Sequence, residues 1–171
     1  MRNALVLTTA LALPACSITD FDIEQPLLEQ HVAGSGIPAP LAALFPLPLN
    51  LDLSAKIKEQ TTGPIDSITL SALSLSITAT DQPSGDTDDW SFVEEIHVFA
   101  SGKSGSSLPR VEIASAVLAG AVTTIDFTVV PGINLKPYVD EGSIVEGTGK
   151  GTVPTDDVSY DGTSTFTIHP L

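Results

Sequence analysis

Residues 65–80 read IDSITLSALSLSITAT, and the fold class turns on whether this run is helix or strand. Ile68, Leu70 and Ala72 share one parity, while Leu73, Leu75, Ile77 and Ala79 share the other. Serine, threonine and β-branched residues dominate the stretch, which disfavours helix. Side chains alternate across a strand, so a pattern that buries one face cannot change parity without an extra residue. The spacing therefore predicts a strand interrupted by a β-bulge or a turn near Ala72-Leu73.

The same reading extends outward in both directions. Upstream, LNLDLSAKI (49–57) alternates Leu49, Leu51, Leu53, Ala55 and Ile57 with polar residues and reads as a half-buried strand. Downstream, the turn-rich DQPSGDTDD (81–89) leads into WSFVEEIHVFAS (90–101), where Val93 is followed by Ile96, Val98 and Ala100, a second parity change. GKSGSSLP (102–109) is a polar loop. VEIASAVL (111–118) and VTTIDFTVV (122–130) read as two strands around Ala119-Gly120-Ala121, a connection suited to a hairpin. Beyond them, INLKPYVDEGSIVEGTGKGTV (133–153) predicts a short helical turn at Lys136 to Asp140 and then a Gly-rich strand, and TSTFTI (163–168) a closing strand. Roughly seven to nine strands fit an all-β class, a single antiparallel β-sandwich with an immunoglobulin-like pattern, better than a barrel or a βαβ protein. The Cys-Trp-Cys hallmark of immunoglobulin domains is absent.

Composition agrees with one such domain. The chain holds 171 residues, and its 42% hydrophobic content with only 5% aromatic predicts a core of Val, Ile and Leu. Seven Lys and Arg against 21 Asp and Glu give a formal net charge of -14. The cations are scattered along the chain, so nucleic acid is excluded as a partner, as is blanket attraction to anionic headgroups. Such acidity serves solubility, or suits a salty or divalent-rich medium.

The amino terminus reads differently. Ala4 to Leu13 form an apolar run behind Met1-Arg2-Asn3, too short to cross a bilayer that needs about 20 residues. A charged start with a short apolar centre is the pattern of a secretory signal. Leu13-Pro14-Ala15-Cys16 stands where cleavage belongs and contains the only cysteine. This resembles the lipobox of bacterial lipoprotein precursors. The resemblance implies that the signal is cut before Cys16, that the Cys16 sulfur carries diacylglycerol, and that the new amino terminus is open to acylation. Two or three acyl chains anchor where one is marginal. Ser17, rather than Asp, after the cysteine favours the outer membrane, with the domain in the periplasm or on the cell surface. The alternatives are an ordinary secretory signal cut nearby, or a buried free cysteine.

This reading divides the chain into a signal peptide (1–15), a tether with a Pro-rich apolar segment (16–48) and a sandwich domain (49–171). Asp20, Asp22 and Glu24 open the tether, and prolines 38, 40, 46 and 48 forbid a long helix within it. Its apolar residues predict an extended segment packed on the domain, with room for one helical turn at Leu41 to Leu44. The rival is an exposed docking segment for a partner or a membrane.

Material for chemistry is sparse. GKSGSS lacks the order of a nucleophile elbow, and EGTGKGT fails the phosphate-loop spacing and reads as a Gly-rich strand or hairpin in which missing side chains permit a bulge or close packing. His31, His97 and His169 are read as structural or surface residues. Asp81, Asp86, Asp88 and Asp89 in one loop, and Asp156, Asp157 and Asp161 in another, are the candidate metal ligands. Neither stretch has the spacing of a calcium loop, so these carboxylates read first as turn supports and second as a joint calcium site. Trp90, with Phe92, reads as core or rim packing, the rival being a ligand-stacking role. The expectation is a non-catalytic, lipid-anchored envelope protein acting by structure or by interaction with another envelope protein, with no cofactor beyond the lipid. Two alternatives stand beside it. One is a module binding calcium at the Asp loops or an apolar ligand between the sheets, and the other is a hydrolase without a recognisable motif.

Overall fold

A computed structural model describes residues 19–35, 37, 40, 41, 44, 45, 47, 53–60, 63–80 and 88–171. The signal segment, Cys16, Asp81 and Asp86 lie outside the described residues. The elements run β1 (Phe21–Val32), β2 (Leu44–Phe45), α1 (Ser54–Gln60), β3 (Ile65–Thr78), β4 (Val93–Ser101), β5 (Val111–Val117), β6 (Thr124–Asp126), β7 (Thr128–Val129), α2 (Lys136–Glu141), β8 (Ile144–Gly151) and β9 (Val158–Pro170). They form two antiparallel sheets, ordered β1-β9-β3-β6 and β2-β8-β4-β5-β7. The protein is thus an all-β sandwich.

Its strand order carries a further regularity. β1 pairs with β9, β2 with β8, β3 with β6 and β4 with β5, each antiparallel. These pairs are nested, as in one long hairpin, and the β3–β9 and β4–β8 pairings close that hairpin into two facing sheets. That arrangement is a jelly roll, with β7 added beside β5. The immunoglobulin arrangement groups its strands differently, so the likeness read from the pattern extends to the sandwich and not to the strand order.

β3 carries the bulge that its parity change demands. Pairing with β9 slips between Leu70 and Ala72, leaving Ser71 as the extra residue. Ile68 and Leu70 before the slip, and Leu73 and Leu75 after it, are all buried. β4 repeats the device: its pairing with β8 slips between Val93 and Glu95, so Val93, Ile96, Val98 and Ala100 all reach the core. Trp90, Tyr160, Phe166 and Ile168 fill the space between the sheets at 0% exposure.

Three stretches fold otherwise than their pattern predicts. The alternating run 49–57 ends in a helix, α1, and not a strand. Leu53 and Ile57 are also four apart, Ile57 N–H bonds Leu53 O at 2.9 Å, and Lys56, Lys58, Glu59 and Gln60 are good helix formers. Within 122–130 the chain visits both sheets: β6 pairs with β3, Phe127 N–H bonds Leu73 O, and only β7 returns to β5. Alternation records burial and is silent on the partner, so it could not separate this path from a plain hairpin. Finally, the stretch read as a tether contributes β1, with Ile23, Leu27 and Val32 buried and Asp22 and Glu24 facing out. Leu44, read as part of a helical turn, lies in β2.

α2 forms where expected. Gly142 ends it in the left-handed conformation, φ 65°, with its N–H bonded to Tyr138 O and Val139 O.

Candidate functional site

The carboxylate candidates gather at the end of the sandwich where β9 begins. Asp89 caps the 3₁₀ turn at Trp90–Phe92, its Oδ1 accepting Ser91 N–H at 2.8 Å. Hydrogen bonding from the Ser91 side chain, then from its backbone, holds the Asp89 carboxyl below its ordinary range. Asp157 Oδ1 accepts Gly34 N–H, and Asp161 Oδ1 accepts Glu29 N–H, both at 2.8 Å. Glu29 lies in the left-handed region, φ 57°, within a slip of β1 against β9, so Asp161 holds that irregularity in place. Asp88, Asp89 and Asp156 line an open cleft of about 390 Å³. Asp157 and Asp161 line a separate one of about 440 Å³ with Glu29 and His31. The two loops do converge on one pole, but their carboxylates are divided between two clefts and three of them bond backbone amides. Among the described residues no group of three or more His, Cys, Asp or Glu is placed to hold a metal ion.

Other sequence candidates resolve into packing. Trp90 is fully buried, 5.7 Å from the Phe92 ring and edge-on to Tyr160 at 5.2 Å, so it belongs to the core. Burial pushes the Tyr160 hydroxyl well above its ordinary pKa. Ser106 of the GKSGSS loop donates to Glu141 Oε2 at 2.5 Å and accepts Leu108 N–H, tying the loop to α2. In the Gly-rich strand, Gly151 adopts φ 150°, and a Cβ there would fall 2.2 Å from Phe92 O. Close packing is thus its reason for lacking a side chain.

A polar cluster that no motif announced lies on the outer face of β4 and β5. His97 Nε2 is 2.6 Å from Glu95 Oε1, and Nδ1 is 3.1 Å from Glu112 Oε1. Hydrogen bonding to Glu95, then to Glu112, raises the imidazole pKa against a smaller opposing effect of burial. Phe99 stacks beside His97 at 6.2 Å, and the Arg110 guanidinium sits 3.3 Å over the Phe99 ring. Arg110 Nε also reaches Glu146 at 3.4 Å. Because the two ring nitrogens face different carboxylates, the set is a hydrogen-bonded chain and not a chelate. Its chemical capacity is to hold a proton across two strands. An alternating E-x-H-x-F pattern marks Glu95, His97 and Phe99 as one face, but Glu112 joins them only through the β4–β5 register.

The opposite end, where β1 begins, holds the remaining histidine contact and an apolar groove. His169 Nδ1 pairs with Asp20 at 2.8 Å, and Nε2 lies 3.3 Å from Thr69 Oγ1. Ile57 of α1, Ile65 and Ile68 of β3 and Val139 of α2 line a groove of about 370 Å³, rimmed by Lys58 and Lys136.

No protein-family description and no curated protein matches the chain. Among solved structures, it resembles a chain of Mud crab tombus-like virus at 7% identity and TM-score 0.37, covering 100% of this chain and 94% of that one. A Desmodium yellow mottle tymovirus chain gives 12% identity and TM-score 0.29, with 100% and 93% covered. Turnip yellow mosaic virus gives 15% and 0.28, with 100% and 92% covered. Likenesses this distant carry no argument about function.

Proposed function

We propose that the protein is a lipid-anchored component of a bacterial cell envelope whose sandwich acts by structure or by interaction and has no catalytic role. The observation that supports this is Leu13-Pro14-Ala15-Cys16 behind a charged start and a ten-residue apolar run, Ala4 to Leu13, together with the absence of any second cysteine for the first to pair with. β1 begins at Phe21, five residues past Cys16, so an anchor at that sulfur holds the folded body close to the bilayer. Ser17 favours the outer membrane.

Mass spectrometry of the protein taken from its native membrane tests the reading. The expected result is an amino terminus at Cys16 carrying the mass of diacylglycerol, with or without an added acyl group. An unmodified Cys16, or a chain recovered wholly in the aqueous fraction, overturns it. Turnover of generic ester, phosphate or glycoside substrates that follows the protein through purification would overturn the non-catalytic part alone.

A further inference from the structure

The end of the sandwich that holds the apolar groove is also the end where the chain arrives from Cys16. Phe21 pairs with Ile168, Ile168 pairs with Ile68, and Ile68 lines the groove. Lys56 of α1 reaches the start of β1, its Nζ donating to Glu24 O at 2.5 Å. Asp20, paired with His169, fixes the last residue before the strand. Asp20 is four residue steps from Cys16, a reach of at most about 14 Å at roughly 3.3–3.6 Å per residue. A sulfur seated at a bilayer surface therefore brings this end of the sandwich to that surface.

Lys56, Lys58 and Lys136 stand on the two helices at this end among Asp20, Glu24, Glu59 and Asp140, and Asp140 lines the groove and pairs with Lys136 at 2.5 Å. Asp88, Asp89, Asp156 and Asp157 stand at the other. Val158 and Ile168 of β9 are ten residue steps apart, so the two ends lie roughly 33 Å apart at about 3.3 Å per residue, several Debye lengths of about 8 Å. Held in this orientation, the protein keeps those four aspartates clear of the headgroups.

Resting on the lipid anchor proposed above, we infer that the α1–α2 end faces the bilayer. Its groove of Ile57, Ile65, Ile68 and Val139 lies against the interfacial layer, with Lys58 toward lipid phosphates. Apolar surface flanked by lysine is the composition that suits such an interface.

The test uses the full lipidated protein reconstituted into vesicles of phosphatidylglycerol and phosphatidylethanolamine. Once Cys16 is acylated, Lys58→Cys or Asp156→Cys supplies a single thiol for an environment-sensitive fluorophore. In vesicles the label at 58 is expected to shift to the blue and to lose iodide quenching several-fold, relative to the same position in soluble Cys16→Ser protein. The label at 156 keeps its quenching. Equal quenching at both positions, with intact mass showing acylated Cys16, overturns the orientation and leaves the anchor standing. An unacylated Cys16 overturns both. Shielding of position 58 that grows with the concentration of Cys16→Ser protein indicates a second copy in the groove, and shielding of lipidated protein without vesicles indicates its own acyl chain. Either result overturns the inference.

Discussion

The His97 imidazole lies between Glu95 on its own strand and Glu112 on β5, and both hydrogen bonds favour its protonated form. A folded-state pKa raised above the unfolded value near 6.5 means that protonation stabilises the fold. That contribution is fully present below about pH 6.5 and is lost as pH rises through the raised folded value. The side chain is 33% exposed, so solvent screening limits the effect. His97→Asn is expected to cost about 0.5–1 kcal/mol near pH 6 and less above pH 8, the range for partly exposed ion pairs. Thermal melts of both proteins across pH 5.5 to 8.5, a window set around that imidazole value, check it. A constant difference over that window would mean that His97 acts through packing on Phe99 and not through its proton. Asp161 belongs to the same scale: its carboxylate is committed to Glu29 N–H, which is why an aspartate legible as a metal ligand in sequence serves as a backbone partner.

Between residue and molecule, the bulge in β3 does the most to reconcile pattern with fold. Ser71 is exposed, and its hydroxyl donates to Thr165 O at 3.0 Å. As a side chain it contributes little, and Ser71→Ala is expected to shift stability by no more than about 0.5 kcal/mol. As a backbone unit it sets the facing of everything after it. Deleting Ser71 turns either Ile68 and Leu70 or Leu73 and Leu75 away from the core, at about 1.5–3 kcal/mol for each side chain, against a total stability of about 5–15 kcal/mol. Urea melts of the deletion are expected to show most of the stability gone, and an unchanged midpoint would refute the bulge. Parity made β3 and β4 legible, because a buried face leaves an imprint with period 2. It left 49–57 ambiguous, because Leu53 and Ile57 satisfy both periods, and it hid β1, where Pro26 and the acids mask an alternation of Ile23, Gln25 and Leu27. The candidate site divides in the same way. The resemblance of Leu13-Pro14-Ala15-Cys16 to a lipobox is local and readable, whereas the partnership of His97 with Glu112 spans 15 residues and passes through a register slip between Val98 and Phe99.

For the molecule as a whole, nested pairing makes the first strand and the last strand neighbours. β1 forms the outer edge of its sheet and touches the rest through β9, which is itself central between β1 and β3. Such an edge invites pairing with another chain, and here it is blunted by Pro26, by outward Asp22 and Glu24, by the slip at Glu29 and by the Lys56 bond to Glu24 O. The edge is also part of the core. Ile23, Leu27 and Val32 are 5%, 5% and 7% exposed, and each buried side chain stabilises by about 1.5–3 kcal/mol. Their sum approaches the whole stability expected of such a domain, which holds together here without a disulfide. A soluble fragment starting at residue 19 is therefore expected to melt cooperatively, and one starting at residue 49 to lack a cooperative transition. Circular dichroism melts of the two fragments decide the matter. If the shorter fragment melts at the same temperature as the longer, β1 is an accessory strand, and the proposed anchor is joined to the sandwich by a true tether instead of by the first strand of the roll.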